Sequence, residues 1–177
     1  THYGGSGIGS KLRFGDVDSA TQNITLGSET GVIFDAVITE IVQIDDTTGI
    51  IVKIWGTTLS TWLYTISGSS ISLGGRFDYA NISGTGDIGC KKLVRLDEDG
   101  NKFLFVYADG DNSSYPTGIV INRSGSNFTY GTKTILQSGS SVGRLGLIQI
   151  IQDQPVLYYY TSTGIFARVL TITGSLI

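Results

Sequence analysis

A chain of 177 residues with a net charge of −3 lacks the basic footprint of a nucleic-acid binder. No apolar run approaches the ~20 residues of a membrane-spanning helix, and a single cysteine (Cys90) with a single histidine (His2) excludes an internal disulfide framework and a conventional structural zinc site. With 25 glycines, only three glutamates and 40% hydrophobic residues, the composition describes a soluble all-β module rather than a helical or disordered chain.

Beginning at Thr1, with no methionine anywhere, the sequence reads as a processed product or a piece of a longer protein. The first predicted elements, within 11–34, look like the last two strands of a four-stranded unit, and Ile24-Thr25-Leu26-Gly27 lies in the second of them. A complete unit over 35–82 follows. Ile41-Val42-Gln43-Ile44 is its first strand, 45–49 a turn, 50–55 a second strand, and Leu63-Tyr64-Thr65-Ile66 a third. Ser67-Gly68-Ser69 then makes a hairpin turn into Ile71-Ser72-Leu73-Gly74. The unit recurs over 83–138, with Leu93-Val94-Arg95-Leu96, a strand over 103–107, Ile119-Val120-Ile121-Asn122, Ser124-Gly125-Ser126 and Phe128-Thr129-Tyr130-Gly131. A third, partial copy over 139–177 opens on Leu147-Ile148-Gln149-Ile150, runs a second strand over 156–160, and takes 168–172 as its third strand before Thr173-Gly174-Ser175.

Four strands in about 50 residues is the period of a propeller blade. Phe103-Leu104-Phe105-Val106-Tyr107 is apolar at consecutive positions, so it needs a neighbour on both faces, as blades stacked face to face provide. Gly27, Gly74 and Gly131 fall within the fourth element of their copies, where a glycine marks a bulge or a close backbone approach. The fold expected is therefore all-β, a propeller-like array of four-stranded antiparallel blades in one domain over 1–177. Whether the ring is an excerpt of a larger one, or is shared among several copies, stays open.

The stretch from Phe103-Leu104-Phe105-Val106-Tyr107 through Ala108-Asp109-Gly110-Asp111-Asn112-Ser113-Ser114-Tyr115, with Thr117-Gly118 and the Ser-Gly-Ser and Phe-Thr-Tyr-Gly segments after it, is the most distinctive. It resembles the β-propeller-like repeats of tail-fibre and other virion proteins of tailed bacteriophages. The match is good over 100–138, partial over 49–80, and reduced in the last copy to a turn at Tyr160-Thr161-Ser162-Thr163-Gly164. The resemblance implies a virion structural or host-recognition part. By the same analogy its partners are other virion chains in a homo-oligomer, for instance a trimer, and a host-surface glycan.

Chemistry-bearing motifs are sparse. Asp97-Glu98-Asp99-Gly100-Asn101 offers oxygen ligands in the manner of a calcium loop, but position six is Lys102 and position twelve Ala108, so a solvated hairpin turn is the better reading, as it is for Asp109-Gly110-Asp111-Asn112. Phe14-Gly15-Asp16-Val17-Asp18 likewise lacks a later carboxylate, and no metal residues are assigned. Gly84-Thr85-Gly86-Asp87-Ile88-Gly89 matches a dinucleotide fingerprint in letters, but it leads into another strand instead of a helix and reads as an inter-blade loop. Catalysis has no visible nucleophile–base pair, and Cys90 reads as a small buried residue. Five sequons (Asn23, Asn81, Asn112, Asn122 and Asn127) would matter only in a eukaryotic secreted protein.

The ligand-binding candidates are Trp55, Trp62, Asp109, Asp111, Asn112 and Tyr115, because rigid rings beside Asp and Asn suit sugars or protein contacts. The expectation is a non-enzymatic phage virion component, with no cofactor, nucleic acid or membrane insertion. The alternative is a secreted or cell-surface lectin of propeller type.

Overall fold

The computed structural model describes residues 13–18, 20, 23–29, 40–83 and 90–174. Fourteen strands run in chain order among the described residues: β1 (Arg13–Asp18), β2 (Asn23–Glu29), β3 (Glu40–Gln43), β4 (Thr48–Trp55), β5 (Thr58–Ser67), β6 (Ser70–Ala80), β7 (Lys91–Arg95), β8 (Lys102–Asp109), β9 (Tyr115–Ser124), β10 (Asn127–Tyr130), β11 (Thr134–Ile135), β12 (Arg144–Ile151), β13 (Gln154–Thr161) and β14 (Gly164–Val169). There is no α-helix among the described residues. Every pairing is antiparallel: a β1–β2 hairpin, then a first sheet β3-β4-β5-β6, a second sheet β7-β8-β9-β10 with β11 added to β9, and a third sheet β12-β13-β14. Each sheet is a meander of sequence neighbours, so each predicted repeat folds as its own sheet.

The sheets are held face to face because the central strands have no polar side. In β8, Phe103, Phe105 and Tyr107 join Ile50, Val52 and Leu59 of the first sheet in one buried cluster. Leu104, Val106 and Ala108 point the other way, into a cluster with Leu145, Leu157 and Tyr159 of the third sheet. Period-2 alternation of direction with apolar residues at every position thus fixes a neighbour above and below. Each such fully buried Phe, Leu or Ile contributes about 1.5–3 kcal/mol.

The outer strands add aromatic pairs one repeat apart: Phe77 meets Phe128 edge-on at 5.6 Å, and Tyr79 meets Tyr130 at 5.3 Å. Tyr130 also donates its hydroxyl to the Phe77 carbonyl at 2.8 Å, and burial pushes its phenol up to about 12.

The signature glycines mark one register fault, repeated three times. Between the pairs Tyr64↔Leu73 and Trp62↔Arg76 the β6 side has one residue more than the β5 side, at Gly74 and Gly75. The same extra residue occurs at Gly27 in β2, between Gly15↔Leu26 and Arg13↔Glu29. After Tyr130 the ladder to β9 resumes only at Thr134↔Gly118, with Gly131 in the gap. The Ser-Gly-Ser turns place Gly68 and Gly125 at φ +57 and +61, values that glycine adopts without steric cost.

In the third sheet the edge strand is Gly164–Val169, earlier than the predicted 168–172. The ladder nevertheless continues past Val169, because the Leu170 amide donates to the Pro155 carbonyl and the Ile172 amide to Asp153. The Ser162-Thr163 turn, within the turn already visible at 160–164 in the sequence, sets where this strand starts.

In the interface between the first two sheets the Tyr107 hydroxyl has no hydrogen-bond partner among the described residues. Tyr107 is fully buried and its hydroxyl accepts and donates no hydrogen bond; burial, with the Asp109 carboxylate nearby, drives its ionisation far above the ordinary phenol range. A buried unmade hydrogen bond costs about 1–3 kcal/mol. Tyr107→Phe is therefore expected to leave stability unchanged or raise it by about 1 kcal/mol, read as the urea midpoint; a loss above that would show that the hydroxyl is bonded.

Candidate functional site

The first strands of the three sheets lie side by side. β3 borders β7, and β7 borders β12. Between their ends sits a cavity of about 790 Å³, lined by 42–46, 93–98 and 147–152.

Polar side chains at equivalent positions stitch this inner wall together across one repeat. Arg95 donates to the Ile44 carbonyl, and Gln149 donates to the Leu96 carbonyl at 3.2 Å. The Lys92 ammonium meets Glu40 at 2.8 Å, and Lys102 meets Asp153 at 3.0 Å. These pairs are partly buried at both partners, so they are less screened than surface pairs and fix the spacing of neighbouring sheets.

Three turns form the rim. Asp45 carries the first: its Oδ1 accepts from the Thr47 amide and hydroxyl and from the Thr48 amide, and its Oδ2 accepts from the Thr48 hydroxyl at 2.6 Å. The Thr48 and Thr47 hydrogen bonds hold the Asp45 carboxyl well below its ordinary range, at about 2. Asp97 carries the second, accepting from the Asn101 amide at 3.0 Å and the Lys102 amide at 3.1 Å. This carboxylate, the first of the calcium-like run, is thus occupied with its own turn. Gly100 in that turn stands at φ +65, and a Cβ there would lie 2.3 Å from the Ile44 side chain, so glycine is what lets the second sheet seat against the first. Asp45, Asp46, Asp97 and Glu98 outnumber Arg95 around the opening. The site can therefore accept hydroxyl or cationic donors through carboxylates and the Gln43 and Gln149 amides, but no aromatic ring lines it.

Most of the predicted binding residues lie at the end of the sheets opposite the cavity, whereas Trp62 lies mid-strand in β5. Asp109, Asp111, Asn112 and Tyr115 come together on the β8–β9 turn, a short 3-10 segment over Gly110–Asn112. Asp109 is fully buried: it accepts from the Asp111 amide and the Asn112 side-chain amide (2.6 Å), and pairs with Lys133 at 3.0 Å. It organises the turn and offers nothing outward. Asp111 is exposed and Tyr115 half-buried, so these two form the turn's accessible surface.

Trp62 sits apart, on the far face of the first sheet, buried with Ile51 and Tyr64 and with the Arg76 guanidinium 5.9 Å from its ring. Trp55 closes β4 opposite Thr58, and its side chain lies outside the described residues. The turn beside it is tied to the β8–β9 turn through 82–83: the Ile82 amide donates to the Thr57 carbonyl, and the Gly110 amide to Ser83. Cys90 is buried, its thiol 3.0 Å from the Gly143 carbonyl. The glycine-rich 84–89 segment lies outside the described residues, and Phe14-Gly15-Asp16-Val17-Asp18 lies within strand β1.

The cavity was not singled out by the sequence, although its signal was present. Gln43, Arg95 and Gln149 occupy the same third position of the three opening strands, a polar side chain where a two-sided apolar strand would carry another hydrophobe. Comparison of the chain with protein-family models, with curated proteins and with solved structures gives no match.

Two expectations follow from these carboxylates. Asp109→Ala leaves Lys133 and two amide donors unpaired against a fully buried position and should cost about 3–5 kcal/mol in urea unfolding, whereas exposed Asp111→Ala should stay within about 0.5. Asp45 has a folded-state pKa below its unfolded one, so its stabilising contribution is complete above pH 3.8 and disappears as pH falls toward about 2. Thermal midpoints of wild type and Asp45→Ala should accordingly differ at neutral pH and converge through that window; a constant gap would disprove the assignment.

Proposed function

We propose that this chain is a non-enzymatic, propeller-like structural and host-recognition module of a bacteriophage particle, acting by presentation. The observation that carries the reading is the repeat-spaced stack of sheets, whose turns are individually locked by hydrogen-bonded carboxylates. Such a stack is a rigid platform, and rigid scaffolds with distinctive loops are where recognition concentrates. The neighbouring first strands β3, β7 and β12 around one cavity support the propeller-like arrangement, in which inner strands face a common axis. Asp45, Asp97 and Asp109 are consumed by turn amides, hydroxyls and Lys133, which leaves none of them poised as an acid–base pair. The partners of this reading are other virion chains and a host-surface glycan, engaged through the β8–β9 turn.

A carbohydrate-binding lectin is the second reading, favoured by the carboxylate- and amide-lined cavity of about 790 Å³, a volume in the range of small-ligand sites. A glycan array with two sets of variants separates them. Tyr115→Ala and Asp111→Ala should lower binding at least ~10-fold, about 1.4 kcal/mol, with unchanged thermal midpoints. Asp46→Asn with Glu98→Gln should lower it only if the cavity is the sugar site. Release of reducing ends from any bound polysaccharide would overturn the non-enzymatic reading.

A further inference from the structure

The second strands of the first two sheets are dry on both sides. In β4, Ile50, Ile51 and Val52 are buried at consecutive positions, and so is every residue of β8 from Phe103 to Ala108. Strand β13 has the same two-sided apolar sequence in Val156-Leu157-Tyr158-Tyr159-Tyr160, but only one of its sides is covered. Leu157 and Tyr159 are buried, whereas Tyr158 and Tyr160 are 51% and 52% exposed.

Register extends the uncovered side across the whole third sheet. Tyr160 pairs with Ile165, Tyr158 lies between Gly146 and Ala167, and Val156 lies between Ile148 and Val169. Ile148, Val169 and Ile165 are 53%, 61% and 78% exposed. Tyr158 occupies the centre of this face, on the middle strand, with its ring across Gly146 where a Cβ would collide with it. The one charged residue in these rows is Arg144, at the corner beside Tyr160. Counting each large side chain at roughly 150–250 Å², the face leaves on the order of 700 Å² of apolar surface in water. The largest patch on an ordinary monomer is about 300–600 Å². Two such faces together reach the ~1,200–2,000 Å² of a specific, stable interface.

The rest of the chain narrows what can cover this face. The surface that would continue the stack head to tail, the far face of the first sheet, is already filled, with Ile51, Trp62 and Tyr64 buried there. Outside the third sheet, the exposed large hydrophobics among the described residues are Leu26, Ile41 and Ile135, single residues on three different strands. A second copy therefore offers one surface of matching size and character, the same face of its own third sheet.

We propose that two copies of this chain pack third sheet against third sheet about a two-fold axis. The contact repeats the one that joins successive sheets within the chain, apolar face on apolar face. The axis passes near Tyr158, so the two Tyr158 rings meet at the centre while Arg144 stays at the rim in water. Such an interface is isologous: it uses the same patch on both copies and closes at two. The inference does not rest on what the β8–β9 turn binds.

Sedimentation equilibrium of the whole chain tests it. Wild type should follow a monomer–dimer equilibrium with a dissociation constant of about micromolar or tighter, and with no larger species. Tyr158→Asp sets two like charges together at the desolvated centre and should weaken the dimer at least ~100-fold, about 2.7 kcal/mol. Ile165→Asp should do the same, and both variants should keep the wild-type circular dichroism. Ile165 is the most exposed of these side chains, so its variant carries the test if Tyr158→Asp fails to fold. Ile135→Asp, about as exposed but on the second sheet, should dimerise like wild type. A chain still monomeric at about 100 micromolar, where a micromolar interface is mostly dimer, would overturn the proposal. So would growth past a dimer, a dimer that survives both substitutions on the face, or one that Ile135→Asp breaks equally well.

Discussion

Strand β8 has no face that tolerates water, and most of the architecture follows from that. Phe103, Phe105 and Tyr107 need cover on one side, and Leu104, Val106 and Ala108 on the other. A hairpin or a single sheet leaves one of these sets wet. Only a layer on each side removes both, and the layers at hand are sheets of the same kind. The second sheet is thus the keystone, with the first and third sheets folding onto it through clusters that share no buried side chain.

Hydrophobic contact is not directional, so it does not set how the layers align. That role falls to polar groups on the inner strands and to the aromatic pairs on the outer ones. Bonds from Arg95, Gln149, Lys92 and Lys102 all cross from one sheet to the next at the inner wall. At the outer edge Tyr130 reaches back to Phe77. Alignment is pinned at both margins of the interface, while the apolar middle supplies the driving force. At Gly100 a Cβ would lie 2.3 Å from the Ile44 side chain, so glycine there lets the turn of the second sheet close against the first.

The acidic residues illustrate how the same chemistry serves structure or surface according to its surroundings. Asp45 is solvent-exposed yet satisfied by four donors from Thr47 and Thr48, which favour its ionised form. Asp109 is fully buried and compensated by Lys133 and two amides. Asp111, two residues later, has its carboxylate in water. Carboxylates that resemble metal or ligand sites in a linear sequence are here divided by burial into turn organisers and surface groups, and only the latter remain free to meet a partner.

Much of the architecture was legible in the residues themselves. The repeat over 41–44, 93–96 and 147–150, the two-sided character of 103–107, the Ser-Gly-Ser turns and the glycine at each fourth element all depend on local rules of φ, side-chain alternation and turn geometry, and these act within a few residues. The start of β14 was misplaced although the turn at 160–164 was visible. Only pairing with β13, from Thr161↔Gly164 to Val156↔Val169, shows that the strand begins directly after that turn, and the hydrogen bonds of Leu170 and Ile172 belong to the same ladder. The candidate site was legible only in part. Asp109 and Asp111 look alike in sequence, and whether Lys133 reaches one of them is settled by β9 and the segment after β10 folding back. The inner cavity needs Gln43, Arg95 and Gln149 brought onto one wall from positions some fifty residues apart. Periodicity determined that sheets would form and that they would stack; which faces ended buried and which stayed open was decided only by tertiary packing, since burial belongs to the pair of surfaces and to neither strand alone.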